Sequence, residues 1–151
     1  TGKTFESNSK LKANFFSNFV NFPVISDDSG LCIKTLKNAP GVYSARLAKK
    51  KGGFYNAMKY ILKKLKLKKN RSAFFVCNLT YKSQDGKLIN VQGKIYGKIS
   101  NRILGKNGFG YDPIFIPNSY KETYGQMKKR EKMKIDHRYL AFKKLRKKIN
   151  I

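Results

Sequence analysis

The segment that most constrains the fold is residues 72–100. The run "SAFFVCNLTYK" (72–82) is dense in aromatic and β-branched residues, "SQDGK" (83–87) carries Asp-Gly turn chemistry, and "LINVQGKIYGKIS" (88–100) resumes an extended pattern. The pair reads as a hairpin or meander of two long strands, which other elements must cover to be stable.

Those other elements read as helices and shorter strands in alternation. Residues 4–19 have Leu11, Phe15 and Phe19 at i, i+4 and i+8 behind a Thr4 cap, which predicts a helix with that stripe as its inner face. "FPVIS" (22–26) predicts a short buried strand ending in an acidic turn, "LCIKTL" (31–36) a second extended piece, and "NAPG" (38–41) a turn. After Gly52-Gly53 a helix runs to about Leu67, with Tyr55, Met58, Ile61, Leu62 and Leu65 as its apolar stripe. "GKNGFGYDPIFI" (105–116) passes from a glycine loop into a strand. A last helix covers 136–149, with Asp136 as cap and Phe142, Leu145 and Ile149 facing inward. The order is α/β, and residues 1–151 form one domain with no internal repeat or linker.

Charge raises the question of partners. The chain has 34 Lys plus Arg against 8 Asp plus Glu, a net charge of +26, which attracts polyanions. At 40% hydrophobic and 13% aromatic residues it is nonetheless a folding chain and not a basic tail. The lysine runs "KKLKLKK" (63–69), "MKKREKMK" (127–134) and "FKKLRKK" (142–148) are interleaved with apolar residues at helical spacing, the pattern of solvated helix faces, so nucleic acid is not the expected partner. No membrane-length apolar run or signal segment is present, and Cys32 and Cys77 lack metal-site spacing; the reading is a soluble, cytoplasmic protein with reduced thiols.

Three stretches can carry chemistry. Asp27-Asp28-Ser29-Gly30 ends a buried strand, where open α/β sheets bind ligands, and adjacent carboxylates suit a magnesium ion; the same residues equally make an ordinary Asx turn. "GKNGFGYDP" (105–113) offers backbone approach through three glycines and stacking faces on Phe109 and Tyr111, or is simply a glycine-rich hairpin loop. "EKMKIDHR" (131–138) holds the only histidine, His137, between Lys132 and Arg138 at a helix start, although a lone His is commonly structural. The opening "TGKT" (1–4) is only the tail of a P-loop pattern.

In chain order, "TGKTFESNSKLKA" (1–13), "VISDDSGLCI" (24–33), "APGVYSAR" (39–46), "AFFVCNL" (73–79), "GFGYDPIFIP" (108–117) and "EKMKIDHR" resemble the inosine triphosphate pyrophosphatase family over essentially the whole chain. The resemblance implies an elongated central mixed β-sheet flanked by helices, with two lobes, a substrate cleft and a homodimer. It implies magnesium-dependent hydrolysis of ITP, deoxy-ITP or XTP to the monophosphate and pyrophosphate.

By position, the resemblance makes Asp28 the general base and a metal ligand, with Asp27 beside it on the metal. Ser29 and Lys12 bind substrate, Lys12 at the triphosphate with Asn8 supporting its segment. Phe109, Gly110, Tyr111 and Asp112 form the base and sugar pocket, with Phe109 stacked on the purine, and Lys132, His137 and Arg138 reach the base. The family's first strand, phosphate-binding loop and a metal-binding Glu are expected upstream of Thr1, an N-terminal truncation that leaves the activity of this chain open. Ser7 stands in place of a Glu, Asp136 in place of a Ser, Leu47 in place of an aromatic, and "KKKGG" in place of an acidic loop. Asp136 either raises the pKa of His137 or caps the helix. The alternatives are a basic nucleic-acid-binding module, a related pyrophosphatase for modified pyrimidine nucleotides, and an inactive truncated paralogue.

Overall fold

The computed structural model describes residues 2–150; Thr1 of the "TGKT" stretch lies outside them. Helix α1 (Phe5–Ser17) leads to β1 (Val24–Ile33), β2 (Ala39–Pro40), α2 (Ser44–Lys51) and α3 (Phe54–Leu65). The hairpin strands β3 (Ser72–Lys82) and β4 (Leu88–Ile99) follow, then β5 (Phe115–Pro117), α4 (Lys129–Lys132) and α5 (His137–Ile149). The sheet order is β2-β1-β3-β4-β5. Each of the four pairings among the described residues is antiparallel, where the sequence resemblance implied a mixed sheet.

The hairpin forms where the sequence places it, with Tyr81 opposite Ile89 and Ser72 opposite Lys98. Side chains alternate across the sheet. One face, from Leu31, Ile33, Ala73, Phe75 and Ile99, packs against Ala57, Met58, Ile61 and Leu65 of α3. On the same face Cys77, Leu79 and Val91 pack against Ala141 and Leu145 of α5. Gly93 on β4 permits this close seating: a Cβ there would stand 2.2 Å from the His137 carbonyl oxygen and 2.5 Å from the Ala141 nitrogen.

The opposite face carries α1 on a polar seat. Ser9 Oγ lies 2.7 Å from Thr80 Oγ1, and Asn90 Nδ2 donates to both hydroxyls at 3.1 and 2.7 Å. Asn78 donates to Asn90 and accepts from Gln92, both at 2.9 Å, while Ser26 Oγ donates to the Ser9 carbonyl at 2.5 Å. The inner face of α1 is therefore Ser9 and Ala13, and the expected inner stripe of Leu11, Phe15 and Phe19 is 52%, 58% and 70% exposed. Small, hydrogen-bonding side chains fit that seat and large apolar ones do not. Phe142 is likewise exposed, α5 burying His137, Ala141 and Leu145.

Two local readings change. The acidic stretch is no turn: β1 runs unbroken through Asp27-Asp28-Ser29-Gly30, pairing with β3 from Val24 opposite Lys82 to Ile33 opposite Ala73. Its continuation 31–36 splits into the end of β1 and a single 3₁₀ turn, Lys34–Leu36. In addition, "SARLAKKK" forms α2, a helix the sequence pattern did not announce. Among the described residues no helix is long and apolar enough to cross a membrane.

Candidate active site

Strand periodicity decides what the paired aspartates do. Successive side chains of β1 point to opposite faces, so the two carboxylates diverge. Asp28 faces α1, where its oxygens accept from Lys12 Nζ at 2.9 Å and Asn8 Nδ2 at 3.1 Å. Lys12 Nζ also donates to the Asp27 carbonyl at 2.8 Å. The helix start that sets this register is a capping box, the Ser7 nitrogen donating to Thr4 Oγ1 at 3.1 Å and the Thr4 nitrogen to Ser7 Oγ at 3.2 Å. A Ser where a Glu was expected thus keeps the cap.

Asp27 faces α5. Its Oδ2 accepts from Ser29 Oγ at 2.9 Å and from Arg138 Nη2 at 3.4 Å. Both ends of that ion pair are nearly half exposed, so the pair is weak and Arg138 is free to turn to another partner.

A cavity of about 230 Å³ is lined from both faces of β1 by Lys12, Asp27, Asp28 and Ser29. Opposite stand Phe109, Gly110, Tyr111 and Asp112 from the glycine loop and His137 and Arg138 from the start of α5. Residues 100 positions apart in sequence thus converge, and every expected site residue except Lys132 is on this wall. Arg138 and His137 arrive there because α5 is capped by Asp136, whose Oδ1 accepts from the Tyr139 nitrogen at 2.8 Å.

The loop is held by its own aspartate. Asp112 Oδ2 accepts from the Phe109 nitrogen at 2.7 Å, and Gly108, at φ +78, leaves room for that carboxylate. The Tyr111 hydroxyl donates to the Ser44 carbonyl at 2.8 Å, and burial pushes its phenol up to about 12. Phe54 meets both Phe109 and Tyr111 edge-on at 5.3 Å, while Phe109 itself remains 64% exposed and available for stacking.

Lys132 does not reach the cavity wall. Its ammonium sits 2.9 Å from Asp112 and 3.5 Å from Asp136, in a nearly buried cluster. Burial raises the Asp112 pKa, and Lys132 works against that rise. His137 is stacked on Phe75 at 4.8 Å with 10° between the rings. Burial, then the neighbouring Arg138 and Lys132 charges, push its pKa down to about 3, so the ring is neutral at neutral pH. Of the two roles weighed for Asp136, raising this pKa or capping the helix, the structure shows the cap: Asp136 turns to the Tyr139 nitrogen and Lys132. Among the described residues the buried His137 Nδ1 has no hydrogen-bond partner.

Sequence reasoning missed Ser44, Phe54 and Phe75 on the cavity wall. Ser44 braces the site, its Oγ accepting from the Leu31 nitrogen at 3.0 Å and donating to the Gly41 carbonyl at 2.7 Å. Its place inside "APGVYSAR" was the available signal. Phe54 and Phe75 looked like ordinary core residues, and nothing local marks them otherwise.

Comparison with known proteins is consistent across sequence and structure. The family profile described as the Ham1 family matches residues 1–148. A dITP/XTP pyrophosphatase of Exiguobacterium sp. is 43% identical over 147 residues, covering 96% of this chain and 74% of the relative. The dITP/XTP pyrophosphatase of Borrelia duttonii is also 43% identical, over 155 residues, covering 97% and 77%. The structure of the Staphylococcus aureus Ham1 protein superimposes with a TM-score of 0.93 at 37% identity, covering 99% of this chain and 78% of that one.

Proposed function

This chain belongs to the Ham1 family, and from that premise we propose that it hydrolyses non-standard purine nucleoside triphosphates, deoxy-ITP, ITP and XTP, to the monophosphate and pyrophosphate. One observation carries the assignment of roles: a lysine-clamped carboxylate and an aromatic, donor-rich pocket face each other across a single cavity.

In this reading the triphosphate lies along Lys12 and Ser29, and the purine stacks on Phe109. Asp28 takes the proton from a water as its oxygen bonds to phosphorus, and the bond to the pyrophosphate breaks. Asn8 and Lys12 hold the Asp28 carboxylate in one orientation for that transfer. Arg138 and the neutral His137 meet the purine edge. A 6-oxo group accepts their hydrogen bonds, whereas the 6-amino group of adenine opposes a donor with a donor, and a buried mismatch of that kind discriminates by on the order of 10⁴.

Magnesium belongs to the same reading. Among the described residues no cluster of three His, Cys, Asp or Glu can hold a metal, so a cage built wholly of protein does not fit. One carboxylate, Asp28, with lone pairs left beside its two hydrogen bonds, does fit an ion that the substrate phosphates and water ligate for the rest. Such an ion, when bound, offsets charge on the phosphates and the leaving pyrophosphate. The role expected of Asp27 shifts accordingly, from sharing the metal to orienting Ser29 and Arg138.

A homodimer is part of the proposal; the exposed Leu11, Phe15, Phe16 and Phe19 are an apolar face of the kind associating chains cover. The deciding experiment is pyrophosphate release with magnesium from ITP, deoxy-ITP, XTP, GTP, ATP and a set of modified pyrimidine triphosphates. Turnover confined to the 6-oxopurines without a 2-amino group supports the reading. Turnover of the pyrimidines alone, or none at all alongside salt-sensitive binding to random DNA, overturns it.

A further inference from the structure

Lys132 is the positive member of a cluster with one carboxylate too many. Its single ammonium serves Asp112 at 2.9 Å and Asp136 at 3.5 Å, and the three side chains are only 12%, 2% and 9% exposed. Asp112 Oδ2 holds the Phe109 nitrogen as well, and Asp136 Oδ1 caps α5 through the Tyr139 nitrogen. The cluster therefore ties the stacking loop to the helix that carries His137 and Arg138, and it bears a formal charge of one negative unit. Arg138, the neighbouring cation, is turned to Asp27.

A purine placed between Phe109 and Arg138 meets this excess charge behind the pocket wall, where little water screens it. Hypoxanthine is neutral, and its 6-oxygen needs only donors. Xanthine carries a second oxo group at C2 and loses a ring proton near neutral pH, so it presents a negative charge to the same wall. With two carboxylates on Lys132, that ammonium has no charge left to offer an anionic base. A serine at position 136 would cap α5 equally well and leave Lys132 with one partner.

We propose that Asp136 acts as a positioning residue for specificity: by drawing Lys132 into a two-carboxylate cluster, it makes the base pocket select a neutral 6-oxopurine over an anionic one. The inference rests on reading the cavity as a purine nucleoside triphosphate site, and it favours ITP and deoxy-ITP over XTP.

The test compares kcat/KM for ITP and XTP, in mildly alkaline buffer, between the parent and the variants Asp136→Ser and Asp136→Asn. Both substitutions remove the charge and keep a side-chain oxygen for the helix cap. The expected result is a rise of about tenfold in the XTP-to-ITP ratio, the scale of removing one like charge from behind a partly buried pocket wall, carried mainly by KM for XTP. A purely structural role for Asp136 moves both substrates together, and an unchanged ratio in either folded variant overturns the proposal. Failure of the parent to hydrolyse either nucleotide overturns instead the reading on which it rests.

Discussion

The Lys12 ammonium lies 2.9 Å from Asp28 Oδ1, so a cation on α1 clamps the carboxylate of β1 that faces it. Replacing Asp28 by Asn preserves shape and one of the two accepted hydrogen bonds while removing the proton acceptor. Turnover should fall by at least about 10²-fold with the thermal midpoint little changed, because a general base contributes about that much. A variant with parental kcat would refute the role of Asp28. Lys12→Met should instead act on KM, raising it by roughly 10- to 100-fold, the worth of a charge-assisted contact to phosphate.

Phe109 and Phe115 separate binding from stability. Phe109 is largely exposed, whereas Phe115 is fully buried and meets Phe75 at 4.7 Å. Phe109→Ala should weaken nucleotide binding by about 1–3 kcal/mol, the scale of base–aromatic stacking, with little change in unfolding. Phe115→Ala should cost about 3–5 kcal/mol in denaturant unfolding. Isothermal titration with a non-hydrolysable analogue and urea melts distinguish the two.

The depressed pKa of His137 predicts a pH signature in stability. The folded ring resists protonation until about pH 3, against an ordinary 6.5 in the unfolded chain. Between those values the unfolded state holds the extra proton, so stability rises with pH across the window and its contribution is lost on acidification. His137→Gln should flatten the stability slope there by up to about 1.4 kcal/mol per pH unit. Equal slopes in parent and variant would exclude a buried neutral ring.

Gly93→Ala tests the seating of α5. The added methyl would meet the His137 carbonyl at 2.2 Å, backbone that cannot rotate away. The helix must shift, with a loss of about 1–3 kcal/mol in unfolding, and His137 and Arg138 shift with it. Discrimination against ATP should weaken along with stability; an intact ITP-to-ATP ratio would show that the helix start does not read the base.

The hairpin β3–β4 was legible from sequence to within a residue because its alternation, composition and Asp-Gly turn agree. The cap of α5 and the gathering of the acidic, glycine-loop and His-Arg stretches were legible as well. The course of β1 was not: Asp-Asp-Ser-Gly has turn chemistry, and only pairing with β3 along its whole length holds it extended. The inner face of α1 was misread for a related reason. Which side of a helix is buried depends on what it sits on, and here the seat is Thr80 and Asn90. The resemblance placed Lys132 at the base, and the structure pairs it with Asp112 and Asp136. The two buried carboxylates that capture it come from different elements, a coincidence in space that a linear pattern does not encode.

The divergence of Asp27 and Asp28 has a consequence for protein engineering. Their assignments depend on parity along a strand, not on the identity of the motif. Grafting the Asp27-Asp28-Ser29-Gly30 stretch onto a flexible loop would carry over its letters without its two directions. Inserting one residue ahead of Asp27 while the downstream pairing slips by one would swap them, sending the base toward α5 and the brace toward α1. Any transplant or library that varies the length of this segment has to move in steps of two.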